Sequence, residues 1–237
     1  MMNPDCDFDE NYYAYYSDQE IDGQSGLISS LYIGGQMGGK NRQGKLFVLS
    51  GPSGVGKTTL AGMLFEKFGK SHNLSRVITY TTKSPRVGEQ NGIDYFFIPV
   101  LEFESKLAAG FFIEHSEAYG NYYGSPKSIL LELKQGKSFL LVVDQAGAYS
   151  IKKQYAQAVL IWLTPPSTDE LVMRLVNRAS DSPADIEKRL AIAADELINE
   201  QNQQLFDYVV ENNLLSQTVS NLGMIIKAET SSGSTNC

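Results

Sequence analysis

Residues Gly51-Pro52-Ser53-Gly54-Val55-Gly56-Lys57-Thr58 match the pattern G-x-x-x-x-G-K-[ST] at every fixed position. Glycines at these spacings let the backbone curl, so that successive N–H groups converge on a phosphate. Lys57 adds a positive charge, and the Thr58 hydroxyl is a ligand for Mg²⁺. A glycine-rich turn can carry a lysine by chance, so the flanks matter. Before the loop, Leu46-Phe47-Val48-Leu49 is a short apolar run suited to a buried parallel strand. After it, Leu60, Met63, Leu64 and Phe68 recur at helical spacing, and Gly69 offers a stop. Strand, glycine loop and helix together set an anion on a helix N-terminus.

Outward from this unit the same alternation continues. Apolar runs at 46–49, 139–143, 159–163 and 208–210 read as buried strands. Helical patterns lie at about 58–68, 126–135, 168–178 and 184–203. This order predicts an α/β fold with a parallel central sheet covered on both faces. Ser167-Thr168-Asp169-Glu170 reads as a capping box, and Ser182-Pro183 opens the next helix with proline at its first position. Residues 77–125 break the alternation. Val77–Thr81, Tyr95–Ile98 and Phe111–Glu114 are short strand-like runs separated by turns, which predicts a small β-rich lobe carried by the core.

The net charge of −7 over 237 residues is placed unevenly. Residues 1–39 hold seven acids and no Lys or Arg, so the remainder balances 20 acids against 20 bases. A neutral body argues against general nucleic-acid binding, which needs a basic face. The acidic extension, 1–44, carries Tyr12, Tyr13, Tyr15 and Tyr16 and a glycine-rich stretch, and is expected to be largely disordered. It reads as a solvated leader, or as a segment that docks through its tyrosines or through 27–33. Residues 228–237 are expected to form a flexible C-terminal tail. Two cysteines, Cys6 and Cys237, make no disulfide framework and suit a reducing cytoplasm. No run of about 18 apolar residues is present, and the N-terminus has no signal-peptide pattern, so a cytoplasmic location without membrane contact is expected.

Four further stretches carry a resemblance. They are Thr81-Thr82-Lys83-Ser84-Pro85-Arg86-Val87-Gly88-Glu89; Asn91-Gly92-Ile93-Asp94-Tyr95-Phe96-Phe97; Glu114 with Tyr119-Gly120-Asn121-Tyr122-Tyr123-Gly124-Ser125; and Pro165-Pro166-Ser167 with Arg189-Leu190. In this order, over about 45–227, the chain resembles guanylate kinases. The resemblance implies a three-layer P-loop kinase with a GMP-binding lobe at 77–125, a core at 45–76 and 126–227, and a helical lid at about 167–190. It implies ATP and GMP as substrates, with Mg²⁺ accompanying ATP. ATP binding falls to Gly51 through Thr59, with Asn212 near the adenine edge.

The chemistry of these residues can also be read without the resemblance. Lys83, Arg86, Tyr95 and Tyr123 supply two cations and two phenols, a set suited to a monoester phosphate. On their own they also read as amphipathic core tyrosines and surface cations. The resemblance assigns all four to the GMP phosphate. Guanine presents N1–H and an amino group side by side, and one carboxylate can accept from both. The resemblance gives Glu114 this role, with Thr79 and Ser125 as hydroxyl partners. Arg174, Arg178 and Arg189 read alone as solvated charges; the resemblance places them on the transferring phosphoryl group beside Lys57. Asp144 ends the run Phe139–Val143, where an acid helps hold hydrated Mg²⁺ with Thr58.

Two positions depart from the family pattern. Lys83 stands where arginine is usual, which keeps the charge and loses the planar fork. Val142 stands where many members have a second acid. Two other functions fit parts of the pattern: a kinase for a sugar phosphate, and a non-catalytic interaction module using the GMP cleft. The first has no use for Glu114 and the second none for an intact loop. The chain is expected to act as a monomer or homodimer.

Overall fold

The computed structural model describes residues 43–118, 120–176, 183–203 and 205–231. The chain divides into two units, Met1–Gly39 and Lys40–Cys237, and all the described residues belong to the second. The acidic extension up to residue 42, Tyr119, Arg178 and residues 232–237 lie outside the described residues.

The chain begins with β1 (Leu46–Ser50), α1 (Lys57–Phe68), β2 (Leu74–Arg76), β3 (Tyr80–Thr81) and β4 (Phe96–Phe97). It continues through α2 (Val100–Ala108), β5 (Phe112–Ala118), β6 (Asn121–Pro126), α3 (Ile129–Lys134) and β7 (Ser138–Val142). Then follow α4 (Gln145–Gln154), β8 (Val159–Thr164), α5 (Thr168–Val176), α6 (Pro183–Gln203), β9 (Tyr208–Glu211) and α7 (Leu215–Ser231).

Five strands form a wholly parallel sheet in the order β2-β7-β1-β8-β9. The strand that feeds the phosphate loop is therefore the middle one, and all five of its residues are buried. Its alternation divides the core. Phe47 and Leu49 pack with Leu60 and Leu64 of α1, Leu171 and Leu175 of α5, and Val219 and Leu222 of α7. Leu46 and Val48 pack on the other face with Ile129 and Leu133 of α3 and Ala148 and Ile151 of α4. Both faces need apolar cover, which is why β1 reads as an unbroken apolar run.

The lobe is a second sheet, β4-β3-β6-β5, whose longest pairing is antiparallel β5 with β6. A cluster of Phe103, Phe111 and Phe112 fills it, with Tyr80 and Tyr122 against it. The lobe is β-rich and carries one helix, α2, for which the sequence offered no periodic pattern. Only Phe103 of α2 is buried, while Val100 and Leu101 are exposed, so it carries no clear apolar stripe. α4 and α7 were likewise not legible as periodic patterns. α7 also corrects the C-terminal boundary, because the helix runs four residues past 227, to Ser231.

Candidate active site

β1 ends at the loop, and Gly51 to Gly56 carry the chain to α1. Gly56 caps α1 with φ 102°, a left-handed conformation that disfavours any side chain. A Cβ there would also stand 2.7 Å from the Asn212 side-chain nitrogen. That nitrogen donates to the Val55 carbonyl at 2.7 Å. Asn212 is only 2 % exposed and lies beneath the loop, supporting it through Val55. At the position expected near the adenine edge, the structure thus shows Asn212 buried and bonded to the loop backbone. Lys57 Nζ donates to the loop's own Gly51 and Pro52 carbonyls, at 2.5 and 3.2 Å. The Thr58 and Thr59 side chains are exposed at the start of α1.

The two helices expected to form the lid pack onto this loop. The cap at Ser167 is present, with the Glu170 amide donating to Ser167 Oγ at 3.1 Å. Leu171, Leu175 and Ala193 belong to the same core as Val55. The lid arginines are treated differently by the fold. Arg189 reaches the loop, donating from Nη1 to Ser53 Oγ at 3.1 Å. Arg174 turns to Glu170 at 3.1 Å and to the Asn212 carbonyl at 3.2 Å. Arg178, which the sequence spaces at i,i+4 from Arg174, lies outside the described residues.

Asp144 is the N-cap of α4 and accepts from the Gly147 amide at 2.7 Å. This cap fixes its carboxyl at the C-terminal end of β7, beside the loop strand. One hydroxyl at Thr58 and one carboxylate at Asp144 suit a cation that keeps its waters and arrives on a triphosphate. Among the described residues no group of three or more His, Cys, Asp or Glu could hold a metal ion.

The residues expected to hold the acceptor come from the lobe. Lys83, Arg86, Tyr95 and Tyr123 line a cleft of about 670 Å³ together with Thr58, Thr59 and Arg189. Burial raises both phenols above their ordinary range, so each keeps a proton to donate. Lys83 is held by Glu89, with both carboxylate oxygens within 2.8 Å, and its ammonium stands 4.6 Å from the Tyr95 ring centre. Burial alone would raise Glu89. The Arg86 amide and the Lys83 ammonium, with the charges of Lys83 and Arg86, hold it below the usual carboxylate range instead. Glu89 thus orders the Lys83–Arg86 turn.

Glu114 is 2 % exposed and accepts from Ser125 Oγ at 2.5 Å, with the register of β5 on β6 placing the two opposite. Burial pushes its carboxyl up to about 7, the Ser125 hydroxyl opposes that, and the Asp144 charge adds to it. Thr79 and Val142 line a smaller pocket of about 80 Å³ that shares Thr58, Arg76 and Tyr95 with the main cleft. The structure therefore brings Thr79, Lys83, Arg86, Tyr95 and Tyr123 to open space, and pairs Glu114 with Ser125 inside the lobe.

Some residues at this site are missed by sequence reasoning. Arg76 lines both cavities and donates to the Asp94 carbonyl at 3.2 Å. It ends an edge strand of three residues, too short for a periodic signal. Asn121 lines the cleft as well, although the family stretch containing it was visible. Glu196 of α6 faces the loop. Burial raises its carboxyl, the Lys57 ammonium lowers it, the Asp144 charge raises it, and the Ser53 and Gln145 amides lower it.

A phosphate loop on the middle strand of a parallel sheet, sharing one cleft with a second set of cations and phenols, defines the nucleotide kinases of the P-loop class. The family model described as guanylate kinase matches residues 43–229. A guanylate kinase of Protochlamydia amoebophila is 41 % identical over 194 residues, covering 81 % of this chain and 95 % of the relative. One of Dechloromonas aromatica is 42 % identical over 186 residues, covering 78 % and 89 %. The crystal structure of guanylate kinase from Anaplasma phagocytophilum superposes with a TM-score of 0.65 at 32 % identity, over 80 % of this chain and 88 % of that one. The chain belongs to the guanylate kinase family.

Proposed function

We infer that the chain transfers the γ-phosphoryl group of ATP to GMP, giving ADP and GDP. The observation that carries this reading is the shared cleft, which Thr58, Thr59 and Arg189 line from the donor side and Lys83, Arg86, Tyr95 and Tyr123 from the acceptor side. Phosphoryl transfer of this kind needs no covalent intermediate, only alignment of two phosphates and cover for developing charge.

In this reading the amides of Gly51–Thr59 and the Lys57 ammonium receive the β- and γ-phosphates. Lys57 must leave the Gly51 and Pro52 carbonyls to do so. Arg189 covers the transferring group, with Arg174 and Arg178 completing the charge as α5 and α6 move. Lys83, Arg86, Tyr95 and Tyr123 hold the GMP phosphate in line. Glu114 accepts from guanine N1–H and the amino group, with Thr79 and Ser125 beside it; the Ser125 hydroxyl must yield its hold on Glu114 Oε1. Adenine has an acceptor at N1 and would leave this carboxylate facing a lone pair. Thr58 and Asp144 are the groups that would hold Mg²⁺. Bound there, the ion would supply positive charge to offset that of the phosphates. Closing the lid excludes water, so that ATP is not simply hydrolysed.

We take the enzyme to work in the cytoplasm as a monomer or homodimer, without nucleic acid. No helix among the described residues is long and apolar enough to cross a membrane. The test is coupled ADP release with ATP, Mg²⁺ and GMP, AMP, UMP or CMP in turn. GMP alone should support turnover. Equal rates with AMP, or ADP release independent of acceptor, would overturn the reading.

A further inference from the structure

α6 lies against the loop with one face. Arg189, Ala193 and Glu196 are spaced by four and three residues, so all three share a side of the helix. Ala193 is buried in the core that contains Val55. Arg189 donates to Ser53 Oγ at 3.1 Å. The backbone carbonyl of Glu196 accepts from Gln145 Nε2 at 3.3 Å. The Glu196 carboxyl faces the Lys57 ammonium, the Asp144 carboxylate, and the Ser53 and Gln145 amides. Its Oε2 is buried without a hydrogen-bond partner among the described residues.

A half-satisfied acid is a poor choice for packing, because burying a carboxylate is costly wherever its lone pairs are not met. What it faces gives the reason. Ser53 belongs to the loop, Lys57 to the first turn of α1, and Gln145 to the first turn of α4, next to Asp144. Glu196 is the point at which α6 meets all three.

We propose that Glu196 is a positioning residue for phosphoryl transfer: it pins α6 to the loop at Ser53 and to α4 at Gln145, and thereby sets where Arg189 stands. The proposal rests on the guanylate kinase reading and on Arg189 acting at the transferring group. Arg189 lies two turns earlier on the same face, about 10 Å along a rigid helix. A slip or small roll of α6 at Glu196 moves the guanidinium by a comparable amount. A misplacement of about 1 Å at a reacting centre can cost roughly a hundredfold in rate.

The test compares the parent with Glu196→Gln, Glu196→Asp, Arg189→Ala and the Glu196→Gln/Arg189→Ala double variant. Glu196→Gln should lower kcat about tenfold or more, with KM for ATP and GMP each within about threefold and the melting midpoint unchanged, since alignment and not binding is lost. Glu196→Asp, which restores the charge, should recover part of kcat. In the Arg189→Ala background Glu196→Gln should cost less than about twofold further, because a residue that acts through another has no effect once the other is gone. Multiplicative losses, a parental kcat in Glu196→Gln, or a kcat loss that tracks a lowered melting midpoint and resists Glu196→Asp would each overturn the proposal. A parent inactive toward GMP would instead refute the underlying reading.

Discussion

Glu114 is where burial and recognition pull against each other. Its folded pKa of about 7 stands above the ordinary 4.5 because burial penalises the charged form. In the empty protein this group therefore favours folding fully below about pH 4.5. That contribution, on the order of 3 kcal/mol, is lost as pH rises through about 7. In the proposed complex guanine reverses the balance, because its two donors favour a charged acceptor. GMP binding should release a proton below pH 7, and affinity should be about fivefold weaker at pH 6 than at pH 7 from this group alone. Calorimetry in buffers of different ionisation heat measures it. Glu114→Gln should keep only the part due to the GMP phosphate, which also titrates near pH 6; an unchanged proton count in that variant would assign the effect elsewhere. Lys83 presents a second conflict. Glu89 already holds its ammonium, so under the proposed function the GMP phosphate would have to share or take it. Lys83→Ala should weaken GMP binding by about 1.5–3 kcal/mol, roughly ten- to a hundredfold, against little change for the exposed Lys134→Ala. Lys83→Arg should bind GMP as well or better. Titration of GMP into each variant decides; indifference to Lys83→Ala would leave Arg86 and the phenols as the whole phosphate site.

At the scale of elements, the loop behaves as a part clamped from several sides. Asn212 holds Val55 from below, Arg189 holds Ser53 from α6, and Gly56 sits at φ 102° against Asn212. Gly56→Ala meets both obstacles, a strained backbone and a blocked Cβ. It should destabilise the protein by about 1–3 kcal/mol and reduce ATP binding far more than GMP binding. Urea unfolding and separate titrations of the two nucleotides check this; equal loss of both would mean that the fold as a whole had failed. The elements also show why reading varied along the chain. α1 and β1 were legible because each buries a regular set of positions, Leu60, Ala61 and Leu64 in the helix and every residue of the strand. α4 was not, because its buried face is Gly147, Ala148 and Ile151 beside an exposed Tyr149 and the pair Lys152 and Lys153. α7 buries Thr218 and Gly223 and exposes Met224 and Leu215, so its pattern is inverted in places.

At the scale of the whole molecule, every assigned residue lies in Lys40–Cys237, and the guanylate kinase match begins at residue 43. Removing residues 1–39 also removes seven acids and no base. The truncated chain should keep GMP kinase activity within about twofold and melt within a few degrees of the parent, since so acidic and glycine-rich a segment can bury little apolar area against its ordering entropy. Steady-state kinetics, thermal melting and size-exclusion chromatography together check this. Lost activity, a lower melting midpoint or a changed oligomeric state would show that 12–16 or 27–33 docks on the body or on a second subunit.

From residues 51–58 and their flanks the sequence determined a strand, a phosphate loop and a helix, and from the alternation of apolar runs it determined a parallel sheet covered on both faces. These are local properties: consecutive residues dictate them, and a one-dimensional pattern suffices to read them. What tertiary structure alone decided are the pairings between distant residues. Asn212 reaches Val55 across 157 positions and Arg189 reaches Ser53 across 136. Arg174 turns to the Asn212 backbone and away from the cleft. Glu114 closes on Ser125, Lys83 on Glu89, and Glu196 faces a loop some 140 positions earlier. Whether a charge meets phosphate, solvent or another side chain depends on which elements pack side by side, and no run of consecutive residues encodes that.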